Sequence, residues 1–150
     1  DYIKSKDIVL IWQCGKSYYD LYKDQSSEDI MIYDFISDID TVYYCSDIIV
    51  ARSGALTLSE LAIVEKPSIL IPSPNVAEDH QYHNAKAISD LDAAICLVEE
   101  EADLLFKNKL DMLIKDEEYR RVISSNISKL ASPDASIKIV NKIKNHLSYE

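Results

Sequence analysis

The chain has 150 residues, with 16 Lys and Arg against 26 Asp and Glu, a formal net charge of −10, and 47% hydrophobic residues. That length supports one domain with a sizeable core. The acid excess, with no cluster of Lys and Arg, excludes a nucleic-acid binder, and no apolar run reaches the ~20 residues of a membrane span. There are two glycines, where average usage gives about ten. Neither GxGxxG nor GxxxxGK[ST] occurs, so no complete Gly-rich phosphate cradle lies within these residues.

Short apolar runs alternate with helical stretches. Residues 7–13 (DIVLIWQ) form a continuous apolar run of strand length, closed by Gly15 as a turn signal. Residues 16–23 read as a helix, 29–35 (DIMIYDF) as a second strand and 37–45 as a second helix. Strand three is 47–51 (DIIVA), helix three 55–64, strand four 67–72 (PSILIP), with Pro67 tolerable as its first residue. Helix four covers 79–91 and strand five 93–98 (AAICLV). The strands are apolar throughout rather than alternating, as in a parallel sheet covered on both faces. The βαβα order predicts an open, doubly wound, Rossmann-like α/β sheet over residues 1–100. Residues 101–150 read as a helical tail on the same domain. In it Tyr119, Val122, Ile123, Ile127 and Leu130 mark one amphipathic helix, and Ile137, Val140, Ile143 and Leu147 another.

Cys14, Cys45 and Cys96 are odd in number, widely spaced and without a CxxC. They read as small buried hydrophobes rather than as disulfide or zinc ligands.

In doubly wound sheets ligands bind beyond the carboxyl ends of the strands. Three loops there carry polar content. After strand three comes Arg52-Ser53-Gly54-Ala55-Leu56-Thr57-Leu58-Ser59-Glu60. Thr57-x-x-Glu60 fits a capping box. It fits equally a helix start whose N–H groups face an anion while Glu60 accepts from vicinal hydroxyls. After strand four, residues 72–84 form a long Pro-stiffened loop ending in His80, Gln81, His83 and Asn84. Two His at i and i+3 with no further fixed ligand make a poor metal site, and hydrogen bonding to a polyhydroxylated ligand through His80 and Gln81 fits better. After strand two, Asp38 reads as a helix-start acid, and Phe35 and Ile36 as walls for an aromatic base or as core.

Taken together, Ser53-Gly54-Ala55-Leu56-Thr57-x-Ser59-Glu60-Leu61-Ala62, Pro67, Ile71-Pro72 and Asp79-His80-Gln81-Tyr82-x-Asn84-Ala85 resemble the carboxy-terminal half of the MurG family. These are the membrane-associated N-acetylglucosaminyltransferases of peptidoglycan synthesis, in glycosyltransferase family 28. The resemblance covers residues 7–100 well and the tail more loosely. It implies one half of a GT-B architecture, in which this half binds UDP-GlcNAc and the other receives lipid I, giving lipid II by an inverting transfer. It implies that the Ile36 backbone pairs with uracil, with Phe35 and Ile39 lining the base, and that Glu60 holds the ribose hydroxyls. Ser53, Gly54, Ala55, Leu56 and Thr57 fall beside the diphosphate and sugar, and Gln81 on GlcNAc hydroxyls. His80 stands where the family has a second glutamine.

No metal or cofactor is implied. The family's Gly-rich phosphate loop, acceptor site and catalytic base are expected upstream of Asp1, so no catalytic residue is assigned and the chain is expected to be an inactive fragment. The implied location is the cytoplasmic face of the bacterial inner membrane, as a peripheral protein. A stand-alone GlcNAc-transferase subunit and a non-catalytic nucleotide-sugar-binding module are the alternatives.

Overall fold

Each apolar run of the sequence contains a strand, shorter than the run itself, in the computed structural model, which describes residues 2–147. Contacts divide the chain into two compact units, one ending at Cys45 and one starting at Ser46. Among the described residues the five strands form two parallel sheets, of two strands and of three.

The first unit runs α1 (Tyr2–Ser5), β1 (Leu10–Gln13), α2 (Lys16–Tyr22), β2 (Ile30–Tyr33) and α3 (Ile39–Cys45). β1 and β2 pair in parallel, with Leu10 opposite Ile30 and Gln13 opposite Tyr33. Such a pair needs a crossover, and α2 supplies it. The Trp12 ring packs against Tyr22, with centroids 4.8 Å apart, and so holds α2 to its strand. Gly15 begins α2 at φ 81° and ψ 155°, a conformation open to glycine but not to L side chains.

The second unit contains β3 (Ile49–Ala51), α4 (Ala55–Val64), β4 (Ser68–Leu70), α5 (His80–Ser89), β5 (Ile95–Cys96), α6 (Glu99–Lys115), α7 (Glu117–Ser128) and α8 (Ala135–Leu147). Its sheet has β4 in the centre, with Ile49 opposite Ser68 and Leu70 opposite Cys96. Both side chains of the β4 pair Ile69 and Leu70 are fully buried, as the apolar run predicts for a strand covered on both faces.

Ile69 and Ile95 from the sheet, with Leu97 just past β5, share one core with Leu113 of α6 and Ile123 of α7. The helices read from sequence as a tail therefore supply part of the core that holds the sheet. Asp116 starts α7 by accepting the Tyr119 N–H at 2.8 Å. Arg120 donates to the carbonyls of Leu113 and Ile114, satisfying the open end of α6. In α8 the apolar stripe is exposed, Ile137, Val140, Ile143 and Leu147 included.

The cysteines depart from expectation. Cys14 and Cys96 are half-buried and Cys45 is exposed, because α3 ends at Cys45 and buries none of its residues.

Candidate functional site

At the carboxyl end of β3 the chain passes through Arg52, Ser53 and Gly54 into α4. Gly54 is the residue before the first turn, at φ −65° and ψ 147°, and no side chain caps the helix. The first intrahelical bond is Leu58 N–H to Gly54 C=O, at 3.0 Å. Among the described residues, the N–H groups of Ala55, Leu56 and Thr57 thus have no side-chain acceptor. Together with the helix dipole they form a region that favours negative charge.

The capping-box reading of Thr57-x-x-Glu60 does not apply, since Thr57 is already the third residue of the helix. Thr57 and Glu60, both half-buried, instead share one helix face. A Cβ added to Gly54 would meet only Thr57 Oγ1, at 3.9 Å. The packing of the chain does not require glycine there. Ala55 and Leu56 are exposed at this helix start.

Ser53 is fully buried. Its hydroxyl donates to the Gln81 carbonyl at 2.8 Å, and its own carbonyl accepts from Asn84 Nδ2 at 3.1 Å. Ser53 therefore ties the start of α4 to the first turn of α5, and its side chain is committed to that task. The Gln81 side chain is oriented by the Ser73 N–H, which donates to Oε1 at 2.9 Å. A backbone N–H demands the oxygen, so the amide NH2 is the end left to donate elsewhere.

Arg52 donates to the carbonyls of Ile71 and Pro72 and pairs with Glu99 at 2.6 Å. It thus links the end of β4 to the first turn of α6.

The loop before α5 carries two adjacent non-glycine residues at positive φ, Glu78 at 56° and Asp79 at 47°. His80 follows, exposed, with Nδ1 2.9 Å from the Ala77 carbonyl. The carbonyl can only accept, so Nδ1 is the donor in that contact.

In the first unit the candidate residues lie on the loop from β2 to α3. Phe35 is 65% exposed, and Ile36 and Ile39 are half-buried. The Ile36 N–H donates to Gln13 Oε1 at 2.8 Å. Asp38 accepts the Thr41 N–H at 3.4 Å, the helix-start role read from sequence.

Ser53, Gly54, Ala55, Leu56, Thr57, Glu60, His80 and Gln81 thus fall at the starts of two helices of the second unit, α4 and α5, joined through Ser53. In the first unit Phe35 and Ile36 fall on the loop after β2, and Ile39 opens α3. Sequence reading passed over Gln13 and Arg52, although each is a polar residue ending an apolar strand run at the carboxyl edge.

Parallel strands with crossover helices, and an uncapped helix start beyond β3, define a Rossmann-like α/β protein. The model of the glycosyltransferase family 28 C-terminal domain matches residues 2–139. The chain belongs to that family. It is 47% identical over 144 residues to a Flavobacterium psychrophilum protein and 45% identical over 141 to one from Cytophaga hutchinsonii. Each is named UDP-N-acetylglucosamine--N-acetylmuramyl-(pentapeptide) pyrophosphoryl-undecaprenol N-acetylglucosamine transferase. These matches cover 95% and 94% of this chain but 39% and 38% of the relatives, so the chain spans about two-fifths of their length.

The crystal structure of Acinetobacter baumannii MurG superposes with a TM-score of 0.78 and 25% identity, over 90% of this chain and 42% of that one. A glycosyltransferase of kitacinnamycin shares the fold, with a TM-score of 0.61 and 16% identity, over 85% of this chain and 32% of that one.

Proposed function

We propose that this chain is the donor-binding part of a transferase that moves GlcNAc from UDP-GlcNAc to lipid I, forming lipid II. The observation that carries the reading is the start of α4. Three N–H groups there have no side-chain cap, behind a glycine whose missing side chain the chain's own packing does not need. A diphosphate is the ligand chemistry such a helix start takes without a metal.

In this reading Ala55, Leu56 and Thr57 offset the charge of the diphosphate, most strongly as UDP departs. Glu60 accepts from the ribose hydroxyls, and Gln81 donates its NH2 to a GlcNAc hydroxyl, with His80 beside it. Ser53 and Asn84 hold these groups rather than touch the sugar. Phe35 and Ile39 line the base, and the Ile36 backbone meets its hydrogen-bonding edge.

The chain's role is positioning and leaving-group stabilisation. The acceptor, the base that deprotonates it and the contact with the cytoplasmic membrane face belong to the intact transferase. Among the described residues no helix is long and apolar enough to cross a membrane. The test is transfer of labelled GlcNAc from UDP-GlcNAc to lipid I by the intact protein. Label appearing in lipid II supports the reading. Intact protein that binds UDP-GlcNAc without transferring it replaces the reading with a nucleotide-sugar-binding module.

A further inference from the structure

We propose that the Arg52–Glu99 ion pair is a positioning device for the sugar. It sets the direction of the Gln81 carboxamide through the peptide that joins Pro72 to Ser73. The inference rests on the reading that Gln81 donates to a sugar hydroxyl, and goes beyond it in naming what aims that donor.

The ladder between β3 and β4 closes where the Ile71 N–H donates to the Ala51 carbonyl at 2.9 Å. Beyond that bond the two chains part, one into α4 and the other into the loop before α5. Arg52 spans the gap, with Nη1 3.3 Å from the Ile71 carbonyl oxygen and 3.1 Å from that of Pro72. The Pro72 carbonyl and the Ser73 N–H are two ends of one planar peptide. Its N–H donates to Gln81 Oε1 at 2.9 Å. Because the plane turns as a unit, a cation holding its oxygen also fixes where its N–H points, and so where the carboxamide lies. The same cation polarises the peptide and strengthens its N–H as a donor.

Glu99 opens α6 and holds the same Arg52 nitrogen at 2.6 Å. The two side chains are 52% and 46% exposed, and an ion pair in that setting adds little to stability. Nor does α6 need Glu99 for its dipole, since Glu100 and Glu101 share the first turn. The pair instead restricts a long, rotamer-rich side chain to the conformation that reaches both carbonyls. The backbone of Gln81 is tied separately, by the Ser53 hydroxyl at 2.8 Å. Loss of the pair therefore frees the carboxamide while the start of α5 stays in place.

The test is titration of the intact protein with UDP-GlcNAc and with UDP. The proteins are the native chain, Arg52→Met, Glu99→Gln, Gln81→Ala, and the two double variants that add Gln81→Ala. The ratio of the two affinities isolates the sugar. It is expected to fall about threefold or more in Gln81→Ala and in Arg52→Met, and about twofold in Glu99→Gln, where Arg52 remains but is unanchored. In each double variant the ratio should match that of Gln81→Ala alone. A charge acting through space on the diphosphate would still be felt there, whereas an effect carried by the carboxamide would not. A native ratio in Arg52→Met overturns the proposal, as does a fall of equal size with and without Gln81. If Arg52→Met does not fold, Glu99→Gln, a change at an exposed position, decides by the same two criteria. If Gln81→Ala itself keeps the native ratio, the sugar reading of Gln81 fails and takes this proposal with it.

Discussion

The hydroxyl of Ser53 donates to the backbone carbonyl of Gln81 at 2.8 Å, from a side chain with no solvent exposure. This bond joins the loop that opens α4 to the first turn of α5, and so fixes two of the candidate ligand-binding segments against each other. Replacing Ser53 by Ala removes this bond, while the Gln81 carbonyl keeps the helical N–H donor that its place inside α5 gives it. The expected cost is about 0.5–1.5 kcal/mol of stability, read from urea denaturation. UDP-GlcNAc binding should weaken at the same time, although the Ser53 side chain is fully buried. A variant as stable as the native chain would show that the bond contributes nothing.

The two glycines should respond in opposite ways. Gly15 sits at φ 81° with no atom near an added Cβ, so Gly15→Ala is strained by backbone alone and should cost about 1–3 kcal/mol. Gly54 lies at φ −65°, and a Cβ there has only Thr57 Oγ1 near it, at 3.9 Å. Gly54→Ala should therefore keep its melting temperature while losing affinity for UDP-GlcNAc. Thermal melts and titrations on both variants separate the cases, and unimpaired binding by Gly54→Ala would remove the ligand as the reason for that glycine.

Much of the fold was legible because burial on both faces leaves an unmistakable mark. The run around Ser68–Leu70 is apolar without alternation, and all three strand residues are buried; the run around Ile49–Ala51 is equally apolar and is a strand, although Val50 is exposed. Strand ends were not legible. The ladder stops where partners stop, so Ile8 and Val9 are apolar enough to read as strand yet lie outside β1.

The site divides in the same way. Gly54, Glu60 and Gln81 stand in one ordered motif, and it is the resemblance carried by that motif, not their spacing, that singled out Glu60 and Gln81. Ser53 was read as facing ligand, because a polar loop residue gives no sign that it is buried. The link from Gln13 to Ile36 spans 23 residues, and no local pattern encodes a side chain that reaches that far. Cys45 was misjudged since its apolar neighbours suggested burial that a short helix does not provide.

Leu113 and Ile123 are fully buried against Ile69, Ile95 and Leu97, which makes α6 and α7 part of the sheet's support. Leu113→Ala should destabilise the second unit by about 2–5 kcal/mol through lost burial and the cavity left behind. Denaturation followed in that variant checks this, and a loss below about 1 kcal/mol would show that α6 packs on the sheet only weakly.

Burial raises the thiol of Cys96 above its ordinary range, so less of it is thiolate at a given pH. Cys45 lies exposed at the end of α3. Alkylation at pH 8 followed by mass spectrometry should therefore modify Cys45 well before Cys96. Equal rates would contradict the burial assigned to β5.

The central claim is that the start of α4 and its neighbours bind a UDP-sugar, with Glu60 on the ribose. Calorimetric titration of UDP-GlcNAc into the intact protein, native and Glu60→Ala, tests it most directly. The account predicts saturable binding competed by UDP, weakened in Glu60→Ala by about 1–3 kcal/mol because hydrogen bonds to a charged group are lost. Affinity unchanged by the substitution, or no binding by the folded native protein, would contradict it.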